Sequence, residues 1–342
     1  MVNRLHLVLS ANDRSYFAIL KKKIHSLAVE AGFAETRISQ IDIIIAEIVT
    51  NLVKHAGGGE LLVKLIEQQN VQGLEIISID NGPGMKDVAK MTGDGVSTKN
   101  TLGHGLGSIK RLSDFFQIYS LKNWGTVQLI RVFDSNTEKS RRPRSSYLAN
   151  SIVIPKNGET ACGDGFFIRK NAGSVAFMLG DGLGHGPDAE YAVKSAGDSF
   201  LKTRSNQPED ILRVISDDVK RTRGLVATVI VFDLDAKIAR VCGVGNISTK
   251  LFSSSAPKNY LAYNGIIGMK LPNTLKSQET IFEPGQFFIM CSDGIKSRWD
   301  TQKYQGINRY DPSILCAAIL KDFNRHTDDV SVAQCQINYD DI

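Results

Sequence analysis

Glu47, Asn51 and His55 stand four residues apart, a spacing that puts all three on one face if the segment is helical. A carboxylate and an amide so placed can act together on a nucleotide. The amide oxygen suits Mg²⁺ that phosphates also hold, and the carboxylate can orient or deprotonate an attacking hydroxyl. Asp80 closes an apolar run, where it can accept a hydrogen bond from an exocyclic amine such as that of adenine. Gly82 and Gly84 behind it let backbone pass close to a nucleotide. Gly103, Gly105 and Gly107 precede a short helical pattern and offer free N–H groups to phosphate. Residues 86–102 between these glycine groups are rich in Gly, Ser, Thr and Asn and read as a lid.

The second half of the chain spells a different chemistry from aspartates at the ends of apolar runs. Asp164 follows Ala161-Cys162-Gly163, Asp181 follows residues 174–180, Asp293 follows residues 286–292, and Asp328-Asp329 precedes Val330-Ser331-Val332-Ala333. A carboxylate at a strand terminus is accessible yet rigidly aimed, as metal ligation requires. An oxygen-only donor set favours Mg²⁺ or Mn²⁺ over zinc. Two such ions can activate water for direct attack on phosphorus, with no need for a Ser-His or Cys-His nucleophile. Asp233 and Asp235 lie instead in a pattern expected to turn a hairpin, and His185 reads as an ordinary loop residue.

The elements that must position these groups follow from periodicity. Tyr16-Phe17, Leu20, Ile24 and Leu27-Ala28 recur at helical spacing, with Gly32 at the expected stop. A second helix is expected over 36–56, ended by Gly57-Gly58-Gly59. Strands are expected over 61–66, 74–79, 115–120 and 127–133, with a helix over 107–112. Residues 135–146 are polar and basic without apolar periodicity and read as a solvated connector. The expected organisation is therefore a domain over 1–134, a linker over 135–146 and a domain over 147–342.

Composition excludes several classes. Hydrophobic residues make up 42% and charged residues 23%, an ordinary balance for a globular protein. A net charge of +5, partly carried by the connector, is too small and too local for a nucleic-acid footprint. No apolar run is long enough to span a bilayer, and the first residues lack the apolar core of a secretion signal. Cys162, Cys242, Cys291, Cys316 and Cys335 are far apart among apolar neighbours and are expected as buried free thiols of a cytoplasmic protein.

Residues 41–132 resemble the GHKL ATPase superfamily: Glu47 and Asn51 match its N box, Asp80, Gly82 and Gly84 its G1 box, and Gly103, Gly105 and Gly107 its G2 box. Within that superfamily the likeness is to RsbT-type switch kinases and anti-sigma-factor kinases, carried by Gly93-Asp94-Gly95-Val96-Ser97-Thr98, Lys110-Arg111-Leu112 and Trp124-Gly125-Thr126. The resemblance implies a Bergerat α/β sandwich binding ATP and Mg²⁺, with Asn51 on the metal, Asp80 on adenine and Glu47 as the base. A sensor histidine kinase would need a phosphoacceptor hairpin for which too few residues precede the second helix, so His25 reads as an ordinary helix residue.

From about residue 147 the chain resembles the PPM phosphatases of the SpoIIE and RsbX branch. Cys162-Gly163-Asp164, Asp181-Gly182-Leu183-Gly184-His185-Gly186, Thr222-Arg223-Gly224, Gly243-Val244-Gly245-Asn246, Asn264-Gly265-Ile266-Ile267-Gly268, Ser292-Asp293-Gly294 and Asp328-Asp329 carry the likeness. It implies an α-β-β-α sandwich holding two Mn²⁺ or Mg²⁺ ions through Asp164, Asp181, the Gly182 carbonyl, Asp293 and Asp328, with Asp328 preferred over Asp329. Gly165 departs from the larger residue common in the family, which bears on the substrate pocket.

The two resemblances together imply a regulator of a partner-switching or stressosome-like pathway. One domain would phosphorylate a STAS-domain antagonist at Ser or Thr, and the other would hydrolyse such a phosphoester. An anti-sigma factor or another downstream regulator is a further partner of such systems; no nucleic acid or membrane is expected. The alternative is that the first domain is a non-catalytic, anti-sigma-like ATP- or partner-binding module regulating the phosphatase.

Overall fold

The computed structural model describes residues 5–13, 16–68, 70–88, 105–134, 146–253 and 256–338. They form two compact units. The first takes residues 6–134 together with 305–318, and the second takes Leu5, 146–304 and 319–338. Residues 135–145 of the expected 135–146 linker lie outside the described residues, as does nearly all of the expected lid.

In the first unit, β1 (Leu7–Ser10), β2 (Glu60–Gln68), β3 (Val71–Asp80), β4 (Phe115–Leu121) and β5 (Gly125–Phe133) form an antiparallel sheet ordered β1-β2-β3-β5-β4. Helices α1 (Phe17–Glu30), α2 (Glu35–Asn51) and α3 (Gly105–Leu112) accompany it. Ile41, Ile44, Ile45 and Ile48 recur along α2 at helical spacing and are fully buried, in one core with Leu61, Val63, Leu74, Ile76, Ile130 and Val132. The second helix runs to Ala56 as expected, but its last turn, Leu52–Ala56, is π-helical and stops at Gly57 with φ +74°. His55 in this turn is exposed, whereas Glu47 and Asn51 are half-buried.

Strand alternation sends Lys64, Glu75 and Arg131 to the other sheet face, where they are direct cross-strand partners. That face is buried too, because residues 305–318 of the same unit cover it. Tyr119 donates its hydroxyl to the Gln305 carbonyl at 3.2 Å and meets Tyr310 edge-to-face. The Asp311 N–H donates to Gln117 Oε1 at 2.7 Å. Glu75 accepts from Lys64 at 3.1 Å and Arg131 at 2.6 Å, and Arg131 is bidentate on Asp311 at 2.8 and 3.0 Å. Burial alone would raise the Glu75 pKa, yet Lys64, Arg131 and His6 hold it well below the usual carboxylate range.

The second unit holds two five-stranded sheets. One is ordered β13-β10-β9-β8-β7 from β7 (Asp164–Asn171), β8 (Ser174–Gly182), β9 (Leu225–Asp233), β10 (Ile238–Val244) and β13 (Gln278–Ile281). The other is ordered β12-β11-β14-β15-β6 from β6 (Tyr147–Ile154), β11 (Ser248–Phe252), β12 (Lys258–Tyr260), β14 (Phe287–Cys291) and β15 (Val330–Ile337). An aromatic core of Phe166, Phe177, Phe232, Phe282 and Phe288 joins them. Helices α4 (Pro187–Lys202) and α5 (Pro208–Asp218) cover the first sheet through Val193, Phe200, Ile211 and Ile215, and α6 (Pro312–Phe323) follows β14 in the chain. The expected hairpin at Asp233 and Asp235 joins β9 to β10. All five cysteines are buried and free.

Candidate functional site

On α2, Glu47 and Asn51 are half-buried and face the start of α3. A side chain at Gly105 would stand 3.0 Å from Glu47 Oε2 and 3.5 Å from the Asn51 amide. The first turn of α3 therefore lies against the pair, and a Cβ there would press on the Glu47 carboxylate. Gly105 and buried Gly107 sit inside the helix, not ahead of it as expected; Gly103 lies outside the described residues. The Asn51 Nδ2 is buried with no hydrogen-bond partner among the described residues. Buried Asp80 turns Oδ1 toward the N–H groups of Gly82 at 2.8 Å and Thr126 at 3.2 Å. These bonds fix its carboxyl plane at the strand end.

Gly82 and Gly84 also meet close packing within the unit. A Cβ at Gly84, where φ is +68°, would fall 1.9 Å from the Leu121 carbonyl, and one at Gly82 would fall 2.8 Å from Ala56. Backbone packing inside the protein already excludes larger residues there.

In the second unit the aspartates converge. Asp164 opens β7 and lies directly across from Asp181 near the end of β8, so two carboxylates face each other at cross-strand distance. Burial first, then neighbouring carboxylates, push Asp181 up to about 9. Asp293, Asp328 and Asp329 are all among those neighbours. Burial likewise dominates at Asp164, pushed up to about 7 with Asp329 and Asp293 contributing. Among the described residues no three His, Cys, Asp or Glu side chains form a ready-made metal cage. The donors nonetheless fit hard divalent cations: they are all oxygen, and their mutual repulsion is what such cations relieve.

Asp328 and Asp329 differ sharply. Both oxygens of buried Asp329 accept backbone N–H groups, from Lys156 and from Gly163, each at 2.7 Å. Asp329 therefore pins the segment leading into Asp164. Half-buried Asp328 accepts the Asp329 N–H at 2.9 Å. Gly182, whose N–H donates to the Gly163 carbonyl at 2.8 Å, is pressed against Ala189 of α4. Gly165 is buried between Val193 and Phe167, so the departure at this position fills the sheet–helix layer.

Three supporting contacts escaped the sequence reading. Ser292 donates to Asp164 Oδ2 at 2.6 Å while accepting the Ser331 N–H at 2.9 Å. Asn246 donates to Asp293 Oδ2 at 3.0 Å. His185, read as a plain loop residue, pairs with Glu159. Ser292 and Asn246 stand inside the quoted motifs, and that adjacency was the available signal.

Residues 10–131 match the histidine kinase-like ATPase domain, and residues 171–338 match the stage II sporulation protein E (SpoIIE) family. The Bacillus subtilis serine/threonine-protein kinase RsbT is 36% identical over 107 residues, which cover 31% of this chain and 80% of RsbT. The phosphoserine phosphatase RsbX of the same organism is 28% identical over 143 residues, 42% of this chain and 71% of RsbX. A structure from work on the bacterial stressosome as a modular system superposes with a TM-score of 0.52 at 27% identity, covering 56% of this chain and all of that one. RsbX in complex with magnesium gives 0.50 at 23% identity, covering 56% of this chain and 96% of the other. No helix among the described residues is long and apolar enough to cross a membrane. The chain belongs to the RsbT family of histidine kinase-like ATPase domains, joined in one polypeptide to a SpoIIE-type PPM domain.

Proposed function

We propose that the chain is a two-way switch on a phosphoprotein: the second unit removes phosphate from Ser or Thr of a STAS-domain protein, and the first unit adds it from ATP. The opposed pair Asp164 and Asp181, with Asp293 and Asp328 contributing to the same electrostatic cluster, carries this reading. Asp164, Asp181, Asp293, Asp328 and the Gly182 carbonyl are the assigned donors to two Mn²⁺ or Mg²⁺ ions. When bound, the ions would neutralise phosphoryl charge and lower the pKa of attacking water. Ser292 orients Asp164, Asn246 orients Asp293, and Asp329 holds the Lys156 and Gly163 backbone in place. Asp328 is assigned over Asp329 because backbone N–H groups take both Asp329 oxygens.

In the first unit, Asn51 would hold Mg²⁺ of bound ATP, Asp80 would accept from adenine, and Glu47 would take the proton of the acceptor hydroxyl. Gly82, Gly84, Gly103, Gly105 and Gly107 would shape the nucleotide pocket. The RsbT and RsbX likenesses support a STAS partner in a partner-switching pathway, and the operating compartment is proposed to be the cytoplasm. A second reading keeps the first unit as a binding module without transfer; it draws on Gly82 and Gly84, whose absence of side chains is explained by packing alone.

One experiment separates these. The protein is incubated with labelled ATP, Mn²⁺ and candidate STAS proteins in phosphorylated and unphosphorylated form. Intact phosphoprotein in every case sinks the phosphatase assignment. Asn51→Ala should abolish phosphate transfer while hydrolysis is unchanged; if the parent shows no transfer either, the binding-module reading stands.

A further inference from the structure

Within the second unit, Arg223 stands in the turn that leads into β9, and that turn is built against the loop of the proposed metal donors. β9 lies beside β8, with Leu225 opposite Gly182 and Val226 opposite Asp181. The Leu183 N–H donates to the Gly224 carbonyl at 3.1 Å. Inside the turn, the Thr222 hydroxyl donates to the Val219 carbonyl at 2.8 Å and accepts the Gly224 N–H at 3.0 Å. Gly224 has φ +77°, and a Cβ there would fall 2.8 Å from the Ile267 carbonyl. The backbone under Arg223 is therefore fixed relative to Asp181 and Gly182. Its side chain reaches back over the same loop: a Cβ on Gly184, two residues past Gly182, would lie 3.3 Å from Arg223 Nη1.

Arg223 Nη2 pairs with Asp188 Oδ2 at 3.0 Å. The two side chains are 52% and 70% exposed, so solvent screens the pair and it contributes little to stability. Asp188 lies in the first turn of α4, where the helix N-terminus favours a carboxylate in any case. Neither group needs the other to hold the fold. An arginine fork fits the oxygens of a phosphoryl group as it fits a carboxylate, and a phosphoryl dianion offers more charge. The proposed metal donors are carboxylates and a carbonyl, and Arg223 supplies beside them the sign of charge they lack.

We propose that Arg223 binds the phosphoryl group of the substrate: its guanidinium gives up Asp188 and donates to phosphoryl oxygens beside Asp181 and Gly182. The inference rests on the reading of the second unit as a metal-dependent phosphatase, and it adds a residue that holds substrate without holding metal. Asp188 is then a competitor that occupies the fork until substrate arrives. The two members of one ion pair have opposite effects on substrate binding, which a structural role for the pair would not produce.

The test uses the full chain with Mn²⁺ and p-nitrophenyl phosphate, a phosphoester without a peptide. Inorganic phosphate is also titrated into the Mn²⁺-loaded protein by calorimetry, which reads the same contact without turnover. Arg223→Ala should raise KM and the phosphate dissociation constant about ten- to hundredfold, the range for a lost charge-assisted hydrogen bond, with a smaller change in kcat. Arg223→Lys keeps the charge but not the fork and should recover only part of that loss. Asp188→Asn frees the fork and should lower both constants about two- to fivefold, as expected for release of an exposed ion pair. The thermal transitions of all three variants should stay at the parental midpoint. Arg223→Ala and Asp188→Asn shifting both constants in the same direction would mark a purely structural pair and overturn the proposal. Parental constants in Arg223→Ala would overturn it equally. If the parent neither hydrolyses the ester nor binds phosphate, the phosphatase reading falls and the inference with it, whereas an active parent with unmoved variants sinks the inference alone.

Discussion

Two clusters of buried charge stand in this chain and they are built on opposite terms. On the sheet face of the first unit, Lys64, Glu75, Arg131 and Asp311 alternate in sign along a continuous ladder. At the mouth of the second unit's sheets, Asp164, Asp181, Asp293, Asp328 and Asp329 share one sign. The ladder neutralises itself, which marks it as architecture. The carboxylate cluster leaves its charge to protons or cations from outside, which marks it as a site. Burial alone does not distinguish a functional cluster from a structural one; the balance of charge does.

Removing one rung of the ladder should give the largest effect. Glu75→Gln strands Lys64 and Arg131 without their carboxylate, and the first unit should lose about 3–5 kcal/mol in chemical denaturation. The sign with pH follows from the same residue. Its folded pKa lies below the unfolded value, so its contribution is present above about pH 4.3 and is lost as the pH falls through the folded value. The variant should show a flatter acid limb. A denaturation curve unchanged by the substitution would erase the contrast between the clusters.

Mn²⁺ should act on the other cluster alone. At a hundredfold excess over its dissociation constant, the ion should stabilise the second unit by about 2.7 kcal/mol, read as a shifted thermal transition. Asp181→Asn should abolish that shift while leaving the metal-free protein no less stable, because burial pushes the Asp181 carboxyl up to about 9 and the amide replaces a group already uncharged at neutral pH. If Mn²⁺ instead stabilised the first unit's transition equally, charge imbalance would be a poor guide to the site.

Ser292→Ala sharpens the comparison at finer scale. Asp164 loses a donor at 2.6 Å, and Mn²⁺ affinity should fall about 10–100-fold without loss of fold. The smallest effect is expected at Tyr119→Phe, which removes one hydrogen bond to Gln305 and should cost about 1 kcal/mol in denaturation. A larger loss there would mean the covering segment is held chiefly by Tyr119 and not by the Arg131–Asp311 pair.

Much of the fold was legible because its signals are local. The isoleucines of α2 at helical spacing, Gly57 at its stop and the alternation of β3 and β5 each follow from neighbours within a few residues. The π-helical last turn was hidden, since it turns on hydrogen-bond register and leaves no mark on the apolar pattern. Gly82 and Gly84 were legible as positions that need glycine, but their close contacts with Ala56 and Leu121 involve residues brought close only by folding.

By itself the sequence determined which side chains can do phosphate chemistry, in what order, and on which kinds of element, because composition, periodicity and motif spacing are written along the chain. Only the tertiary structure decided that Asp164 faces Asp181 and that Ser292 orients it. It also decided that Asp329 is held by backbone N–H groups, and that residues 305–318 cover the first unit's sheet. Those facts rest on pairings between residues far apart in sequence. Such pairings are selected by how whole surfaces pack and how buried charges balance, and no local pattern records that choice.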